Sequence, residues 1–467
     1  MKFTDKVYRA SPYFFKVCFL NIIGYLNRSK RYTQSFEKYL TEYKTLWKSD
    51  LNTLEDYREA QLEKLLLECF NHSKWYRNKM LEIGITDCMI KKKPMETLKS
   101  IPILTKKERK ENTLEIENHS RKTISSGYSS GTSGSPTLNF LDKESTERSF
   151  ALWKRFHWTI GLKKDDRHIR LSGRILIDPD KTSSPFWIFN RSENQLLMSV
   201  YHMTEINLKF YISKIDSFKP IYLDGYPSAI YILAHYINEN NITLKHRIRA
   251  IAVTAETLYE HQRIAIQKAF NCPVYNQYAS SEGSPFITEC KHGKLHINTD
   301  SGIFEILDDK NQEVKPGEIG RLVVTSFRNL KTPLLRYDIG DKVLKSHAES
   351  ACECLCKMPT VQNILGRDDD VLWTHEKGYV GRMGTAYKGL EGIIKSQILQ
   401  QTPQLIVVNM IINNDFKSST KEEFIRNLKD RLGNKIHVQI KFVDEIPLGP
   451  NGKFVAVKRN FNLDDRT

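Results

Sequence analysis

The sequence predicts an α/β protein with a large N-terminal domain and a small α+β domain at its C-terminal end. Three observations support this fold class. The chain has 467 residues, which is too many for one small core. Between residues 150 and 330, short apolar runs alternate with segments of helical periodicity, as in parallel strands covered by helices. Strand-like runs at 405–412 and 436–442 then flank a helix-like segment at 420–432.

The large domain itself divides into regions of different periodicity. Residues 33–82 carry apolar side chains at helical spacing, which predicts a helical N-terminal region over about residues 1–120. The central part contains two strand-like runs, each followed by a helical pattern. These pairs are 221–223 with 227–238, and 250–253 with 257–270. The stretch 302–327 instead predicts antiparallel strands around a turn at 308–311.

A domain boundary is predicted where three successive carboxylates follow Gly366. Such a run is unfavourable inside a helix or a strand. We therefore predict a large domain over residues 1–366 and a small domain over residues 369–467.

The composition is that of a globular enzyme, with 40% hydrophobic and 27% charged residues. The excess of Lys+Arg (71) over Asp+Glu (55) gives a net charge of +16. Apart from a cluster within 91–110, the basic residues are spread along the chain. No zinc-finger or RNA-recognition consensus accompanies them, so we expect a solvated basic face and no nucleic-acid partner.

The first apolar run, at 12–26, is interrupted by a lysine and an asparagine and lacks a cleavage site for secretion. It is followed by Arg28, Lys30 and Arg31. Two interpretations stay open: a helix packed on the protein, which we favour, or an interfacial helix in peripheral contact with a membrane. Without an export signal, we expect a reducing cytoplasm.

A Ser/Gly-rich stretch at 128–137 is the strongest local signal for chemistry. It carries two glycines and six hydroxyl side chains, and backbone N–H groups and hydroxyls are natural ligands for phosphate oxygens. It lacks the Gly-Lys-Ser/Thr ending of a Walker P-loop, and a flexible linker is the alternative. The candidate phosphate ligands are Ser129, Ser130, Gly131, Thr132, Ser133 and Gly134.

Five motifs in order resemble those of the adenylate-forming superfamily. The closest form is that of phenylacetate–CoA ligases and their relatives in capsular polysaccharide biosynthesis. The motifs are Ser129–Thr137, Tyr278–Gly283, Arg336–Asp341, Gly366–Asp369 and Gly452–Lys453. The resemblance implies a large multi-layer N-terminal domain with mixed sheets, joined by a hinge to a small C-terminal lid.

The resemblance also implies which residues bind ATP. Tyr278 would pack on the adenine ring, and Ala255 and Glu256 would lie beside it. Ser281 would face the α-phosphate. Asp341 would accept hydrogen bonds from both ribose hydroxyls, as carboxylates do with diols.

Three further residues would carry the chemistry. Glu282 would ligate Mg²⁺, a hard cation that prefers oxygen ligands. Arg367 would hold ribose or phosphate oxygens, and Lys453 would meet the charge that builds on the reacting oxygens. Asp369 would be the hinge between the domains.

Cysteines and histidines in the second half of the chain can form a tetrahedral structural zinc site, although their spacing is not that of a zinc finger. A similar site in some phenylacetate–CoA ligase relatives implies four ligands. These are Cys290, His296, Cys352 and Cys354. Cys356 and His292 are alternative candidates for two of these four ligands. Four free thiols without a metal are the alternative to a zinc site.

The predicted reaction has two halves. A carboxylate attacks the α-phosphate of ATP, pyrophosphate leaves, and the acyl-AMP stays bound; rotation about Asp369 then withdraws Lys453 and admits an acceptor. The resemblance implies the thiol of CoA as acceptor, so the enzyme would be an acid–thiol ligase. A sugar, an amine or a carrier in surface polysaccharide biosynthesis is the alternative. A nucleotide-binding scaffold without chemistry is a hypothesis of another class. The sequence does not indicate which acid is activated, nor the oligomeric state.

Overall fold

The structure is a computed structural model. It describes residues 11–128, 137–178, 181–280, 282–283, 286–347, 352–367, 372–376, 378–380, 383–387, 390, 392–448 and 454–461. Of Tyr128 and Arg367 it describes the backbone only.

Helices predominate in the N-terminal third and strands in the rest. The helices are α1 (Tyr13–Arg31), α2 (Gln34–Leu46), α3 (Leu51–His72), α4 (Lys74–Glu82), α5 (Asp87–Lys92), α6 (Pro94–Ser100), α7 (Lys106–Glu111), α8 (Thr113–Ile116), α9 (Lys143–Thr159), α10 (Glu205–Phe218), α11 (Pro227–Glu239), α12 (Glu260–Phe270) and α13 (Ser418–Leu432).

The strands are β1 (Ser125–Tyr128), β2 (Leu138–Leu141), β3 (His168–Ser172), β4 (Trp187–Asn190), β5 (Gln195–Ser199), β6 (Tyr222–Gly225), β7 (Ala250–Thr254), β8 (Val274–Ala279), β9 (Phe286–Glu289), β10 (Leu295–Ile297), β11 (Gly302–Leu307), β12 (Ile319–Ser326), β13 (Tyr337–Lys345), β14 (Thr360–Arg367), β15 (Leu372–Thr374), β16 (Gly378–Val380), β17 (Ile393–Thr402), β18 (Leu405–Ile412), β19 (His437–Phe442) and β20 (Val457–Arg459).

The chain divides into two compact units. The first comprises Met1–Asn21, Arg167–Val274 and Leu365–Thr467, and the second comprises Ile22–Asp166 and Tyr275–Ile364. The predicted hinge residue Asp369 lies outside the described residues, so the domain boundary stays a prediction.

The first unit contains a mostly parallel sheet in the order β7-β6-β3-β5-β4. β5, β3, β6 and β7 run parallel, and only β4 pairs antiparallel with its neighbour. The helix α11 follows β6, and α12 follows β7. Their apolar faces join the strands in one core, in which Ile169, Leu223, Ile230 and Ile251 are fully buried. The parallel α/β layering predicted for this region is therefore confirmed.

The C-terminal part of the first unit forms a small sheet in the order β19-β18-β17-β20. α13 packs against this sheet through Phe424, Leu428 and Leu432, which recur at helical spacing and are fully buried. The strands and the helix predicted here from periodicity agree with the observed bounds, which confirms a small α+β arrangement.

The second unit combines α2–α9 with strands in the order β11-β12-β13-β14-β10-β9-β8. The prediction of antiparallel strands around a turn is confirmed, because β11 and β12 pair antiparallel over their length. In the turn, the carboxylate of Asp308 accepts hydrogen bonds from the backbone N–H groups of Lys310 and Gln312. This is the usual reason for an aspartate at such a position.

The helix starts follow from local sequence. Asp50 caps α3 by accepting the N–H of Thr53, and Asp142 caps α9 in the same way. α7 begins with a capping box formed by Thr105 and Glu108.

The segment around residues 91–122 forms the short helices α5–α8. The solvated basic face predicted for the cluster within 91–110 is confirmed at the exposed Lys91, Lys92, Lys93, Lys107 and Lys110. Arg109 in α7 is the exception, with 0% of its surface exposed. Burial of a guanidinium requires partners, and these lie at the candidate site.

Within the described ranges, we find no helix whose length and apolar character would let it cross a bilayer.

Candidate active site

The Ser/Gly-rich loop connects two paired strands. The predicted ligands Ser129, Ser130, Gly131, Thr132, Ser133 and Gly134 lie outside the described residues. β1 and β2 pair antiparallel, with Tyr128 opposite Leu138. Phe140 in β2 also exchanges two hydrogen bonds of 3.0 Å with the hydroxyl of Thr332. Both ends of the loop are therefore held by the second unit.

Arg109 is bonded to the exit of this loop and interacts electrostatically with Glu282. Its Nη2 donates to the backbone oxygen of Leu138 at 3.1 Å and to Oδ1 of Asn139 at 2.5 Å. Burial lowers the pKa of Arg109, while the charges of Tyr337 and Glu282 act in the opposite direction. The guanidinium stays charged, so it contributes a fixed positive charge close to Glu282.

Our sequence reading missed Arg109 because it lies in a basic run. No sequence signal set it apart from its basic neighbours, because its burial is visible only in the structure.

Tyr278 and Asp341, from two motifs far apart in the sequence, are in direct contact. The hydroxyl of Tyr278, in β8, donates a hydrogen bond to Oδ2 of Asp341, in β13. Asp341 is buried, with 7% of its surface exposed. The residue predicted to pack on adenine therefore lies beside the residue predicted to bind the ribose.

Glu282 is buried, with 6% of its surface exposed, and its position is fixed by the glycine that follows. Gly283 has a φ of +98°, and a Cβ atom there would lie 2.8 Å from Cβ of Asn329. Its backbone oxygen accepts a hydrogen bond of 2.9 Å from the hydroxyl of Ser326. Only glycine fits this approach, which holds the backbone at Glu282 against the β12 end.

Arg336, in the same motif as Asp341, has a structural environment. It makes a two-fold ion pair with Glu305, at 3.0 and 2.8 Å, and donates to the backbone oxygens of Lys99 and Ile101. Arg367 ends β14, and its side chain is not described. Ser281, Asp369 and Lys453 lie outside the described residues.

The predicted adenine loop follows β7 in the first unit. Ala255 has a φ of +73°, a backbone conformation that is uncommon outside glycine and is often found at functional sites. The carboxylate of Glu256 accepts a hydrogen bond of 3.2 Å from the N–H of Ser228, at the start of α11. Its other oxygen accepts a hydrogen bond of 2.7 Å from the N–H of Phe454, which directly follows Lys453. Glu256 therefore connects the start of a helix with the segment that carries the predicted catalytic lysine.

Lys395 in β17 is a second cation that the sequence reading missed. Its Nζ donates to the backbone oxygen of Ile446 at 3.0 Å and lies 4.6 Å from the ring centre of Phe454. Burial lowers its pKa, and the nearby Glu256 and Glu445 oppose that shift. No sequence signal distinguished it, because a single lysine in a strand is ordinary.

A cavity of about 220 Å³ lies beside Lys395, still within the first unit. Its lining includes Ser228, Tyr231, Tyr259, His261, Lys395 and Phe454. Aromatic walls with polar tips can accept a planar group and bind its polar edge.

The four predicted zinc ligands converge in the second unit. Their ligand atoms all lie within 4.8 Å of one another. The sulfur atoms of Cys290 and Cys352 are 3.5 Å apart, and the sulfur of Cys354 is 3.3 Å from Nε2 of His296. Nδ1 of His296 lies 3.0 Å from the backbone oxygen of Met358, to which it can donate, so Nε2 can present its lone pair to a metal.

This donor set fits a tetrahedral zinc ion. With Zn–S of about 2.3 Å and Zn–N of about 2.0 Å, neighbouring ligand atoms should be about 3.6–3.8 Å apart. Burial raises the pKa of the thiols of Cys290 and Cys354 and lowers the pKa of His296. A bound cation would favour the thiolates that burial disfavours.

The two rivals for these ligands have other surroundings. Nδ1 of His292 lies 3.0 Å from the carboxylate of Glu353. Cys356 is buried and outside the group of four, and burial raises the pKa of its thiol to about 12. The geometry therefore favours the four ligands first named.

Sequence comparison finds a relative along nearly the whole chain. Protein CapK of Staphylococcus aureus is 33% identical over 451 residues, which is 96% of this chain and 97% of that protein. A family model described as the CapK C-terminal domain matches residues 372–460. Phenylacetate-coenzyme A ligase of Thermus thermophilus is 24% identical over 273 residues, covering 52% of this chain and 61% of that protein.

Solved structures show the same fold. 2-Hydroxyisobutyryl-CoA ligase in its postadenylation state, in complex with R3-HIB-AMP, matches with a TM-score of 0.65 at 16% identity, covering 87% of this chain and 89% of that one. The anthranilate CoA ligase AuaEII, in complex with anthranoyl-AMP, matches with a TM-score of 0.53 at 16% identity, covering 72% and 65%. The predicted fold class is thus confirmed: the chain has the fold of these CoA ligases, and it belongs to the CapK family.

Proposed function

We propose that this protein activates a small carboxylic acid with ATP and Mg²⁺, releasing pyrophosphate, and then transfers the acyl group from acyl-AMP to the thiol of CoA. The observation that carries this proposal is the contact between Tyr278 and Asp341. It joins two nucleotide-binding motifs in a chain whose relatives include a CoA ligase.

The nucleotide would be bound mainly by the second unit. Tyr278 offers a ring face for adenine, and Asp341 offers a buried carboxylate for the ribose hydroxyls. When the ribose binds, it would replace the hydroxyl of Tyr278 as a partner of Asp341. The residues 129–134 would bind phosphate oxygens, at the end of a hairpin whose strands are already held.

Glu282 is the proposed ligand of Mg²⁺, which when bound would neutralise charge on the leaving pyrophosphate. Its buried position and its fixed backbone at Gly283 are what a positioned ligand needs. Arg109 would add a buried positive charge close to Glu282, because the two groups interact electrostatically.

Lys453 is the proposed catalytic cation, and Glu256 its positioning residue. Through the N–H of Phe454, Glu256 holds the residue next to Lys453. Lys453 would stabilise the charge on the α-phosphate and the attacking carboxylate, with Arg367 as a second cation. Rotation about Asp369 would then break this contact and admit the acceptor.

In the second half-reaction, the thiol sulfur attacks the carbonyl carbon of the acyl-AMP and loses its proton. The bond from carbon to the bridging oxygen breaks, and AMP leaves with that oxygen. The products are a thioester, AMP and pyrophosphate. Since ATP and reduced CoA are required, we place the reaction in the cytoplasm.

The group of Cys290, His296, Cys352 and Cys354 is proposed as a structural zinc site. All four residues come from the second unit. A closed set of four protein ligands leaves no position for a substrate, as is typical of structural sites. The site would fix the β9–β10 hairpin to residues 352–356.

Another acceptor, in surface polysaccharide biosynthesis, is the second candidate. It is favoured by the match of residues 372–460 to a CapK-specific C-terminal model, because the small lobe is where an acceptor would dock. A thioester formed only when CoA is supplied would support the first candidate. Acylation of a sugar, an amine or a carrier without CoA would support the second.

The test is ATP–pyrophosphate exchange across a panel of aromatic, aliphatic, hydroxylated and sugar acids. We expect exchange that requires both Mg²⁺ and one class of acid. Glu282→Ala should abolish it, and Glu289→Ala offers a control carboxylate in the neighbouring strand. ATP binding without exchange for any acid would instead favour a nucleotide-binding scaffold.

A further inference from the structure

The helix α1 has two apolar faces, and one of them packs on the protein. Leu20, with 5% of its surface exposed, joins a small core in the first unit. The other members of that core are Leu176, Ile177, Ile188 and Leu197. Asn21 fixes the helix by donating to the backbone oxygen of Phe189 and accepting from the N–H of Arg191.

The other face of α1 exposes large apolar side chains. Their exposed fractions are Phe14 70%, Phe15 62%, Phe19 51%, Ile22 62%, Tyr25 58% and Leu26 56%. At about 100° per residue, they cover a continuous arc of about 140° of the helix surface. Six such side chains, each at least half exposed, present on the order of 600 Å². This reaches the upper end of apolar patches on monomeric proteins, and such patches usually mark a binding surface.

Basic residues border this apolar arc. α1 contains no acidic residue, and its last turn carries Arg28, Lys30 and Arg31. On the helical projection, Lys30 follows the edge of the arc at Phe19, and Arg28 precedes the opposite edge at Phe14. Arg28 is paired with Asp165 at 2.9 Å, while Lys30 is exposed. The chain as a whole carries a net charge of +16.

We propose that α1 docks this protein on an anionic phospholipid surface. The aromatic and aliphatic side chains of the arc would enter the boundary between headgroups and acyl chains, and the exposed Lys30 at its edge would lie among anionic headgroups. Phenylalanine and tyrosine on one face with lysine and arginine beside them are typical of interfacial helices. This proposal does not depend on the proposed function.

Charge complementarity favours a membrane over a second copy of the chain. Two copies joined through α1 would bring together molecules that each carry +16. An anionic bilayer instead attracts both the helix end and the whole chain.

The test is flotation of the full-length chain with vesicles. The wild type should bind vesicles of phosphatidylglycerol and phosphatidylcholine, and binding should fall at least about fivefold with pure phosphatidylcholine or at high salt. Phe15→Glu with Ile22→Glu places two charges at the centre of the arc and should reduce binding about tenfold or more. The matched control, Ile206→Glu with Ile264→Glu, changes two exposed isoleucines elsewhere and should bind like the wild type.

Circular dichroism and thermal unfolding establish that both double variants are folded. Equal binding of wild type and the α1 variant would overturn the proposal, as would a wild type that ignores anionic vesicles. Sedimentation without lipid tests whether a second copy of the chain, and not a membrane, covers this face of α1. A dimer of the wild type that dissociates in the α1 variant, with no vesicle binding, would assign this face to a second copy.

Discussion

The Cys/His cluster and the proposed nucleotide site both bring together residues far apart in the sequence, but the surroundings of their polar atoms differ. In the cluster, the sulfur atoms of Cys290 and Cys352 face each other at 3.5 Å, around a centre that suits a cation. In the proposed nucleotide site of the second unit, polar groups are bonded to protein partners, since Tyr278 donates to Asp341. The first unit shows the same kind of contact by itself, since the N–H of Phe454 donates to Glu256.

The difference indicates what each region does. A closed set of donors in a buried place can hold a metal permanently, and that stabilises the fold. Polar groups that bond one another can exchange those partners for a ligand and recover them after release. Loss of a cluster residue should therefore reduce stability, whereas loss of a nucleotide-site residue should reduce activity alone.

The largest difference between the two sites should come from Cys290→Ser, which should reduce stability. Serine is a poor zinc ligand, and structural zinc contributes about 10–16 kcal/mol in small zinc domains. We expect loss of the one bound zinc ion and a large fall in the thermal midpoint, read by elemental analysis and calorimetry. Cys88→Ser, at an exposed cysteine outside the cluster, is the control. A wild type purified without zinc would contradict this account of the cluster.

The next largest effect should come from Lys453→Ala. Removing the only cation supplied by the closing motif should lower the rate of ATP–pyrophosphate exchange about 10³-fold, which is about 4 kcal/mol in the barrier. The thermal midpoint should not change. Lys458→Ala, five residues away, is the matched control. If exchange by Lys453→Ala equals that of the wild type, Lys453 has no part in the reaction.

Smaller effects should separate Asp341 from Tyr278. Asp341→Asn keeps the shape of the side chain but removes the charged acceptor, so the KM for ATP should rise about 10–100-fold. Tyr278→Phe keeps the ring and removes a hydroxyl that only competes with the ribose, so the KM should change less than about fivefold. The proposed roles would be reversed if the phenylalanine variant were the weaker of the two.

The smallest effect concerns the free energy of unfolding at low pH. It tests a network of ion pairs on α9 that belongs to neither site. Burial of Glu144 acts to raise its pKa, but Arg148, Lys64 and Arg121 outweigh this and lower it to about 2. Because the pKa is depressed in the folded state, this stabilisation is complete above the unfolded value of 4.5 and is lost as the pH falls towards 2.

Glu144→Gln should therefore reduce the free energy of unfolding by about 1–3 kcal/mol near pH 6, and the difference should shrink near pH 3. Urea unfolding at both pH values measures it. A difference that does not change with pH would assign the loss to packing and not to charge.

Much of the fold could be predicted from periodicity. The helix at 420–432 and the strands at 405–412 were identified because their apolar positions follow one period each, and α13 and β18 agree with them. The basic face predicted within 91–110 agrees with the structure except at Arg109, because charge alone does not reveal burial. The partners of Arg109, Leu138 and Asn139, are distant in the sequence, and local patterning does not indicate such contacts.

The sequence motifs predict which residues belong to the candidate site, but they do not predict the contacts between those residues. The motifs predict that Tyr278 and Asp341 serve one nucleotide. Their side chains are in contact although β8 and β13 are not neighbours in the sheet, and periodicity does not indicate such a contact. The bond between Glu256 and the N–H of Phe454 could not be predicted, because it joins positions 198 residues apart through a backbone group. Such a group carries no residue-specific signal.

The most direct test of the central claim follows an oxygen atom. The active acid from the exchange panel is labelled with ¹⁸O in its carboxylate, and the AMP formed during acyl transfer is analysed by mass spectrometry. Attack of the carboxylate on the α-phosphate predicts AMP that carries one ¹⁸O atom. Unlabelled AMP, or ADP as the nucleotide product, would contradict an acyl-adenylate intermediate.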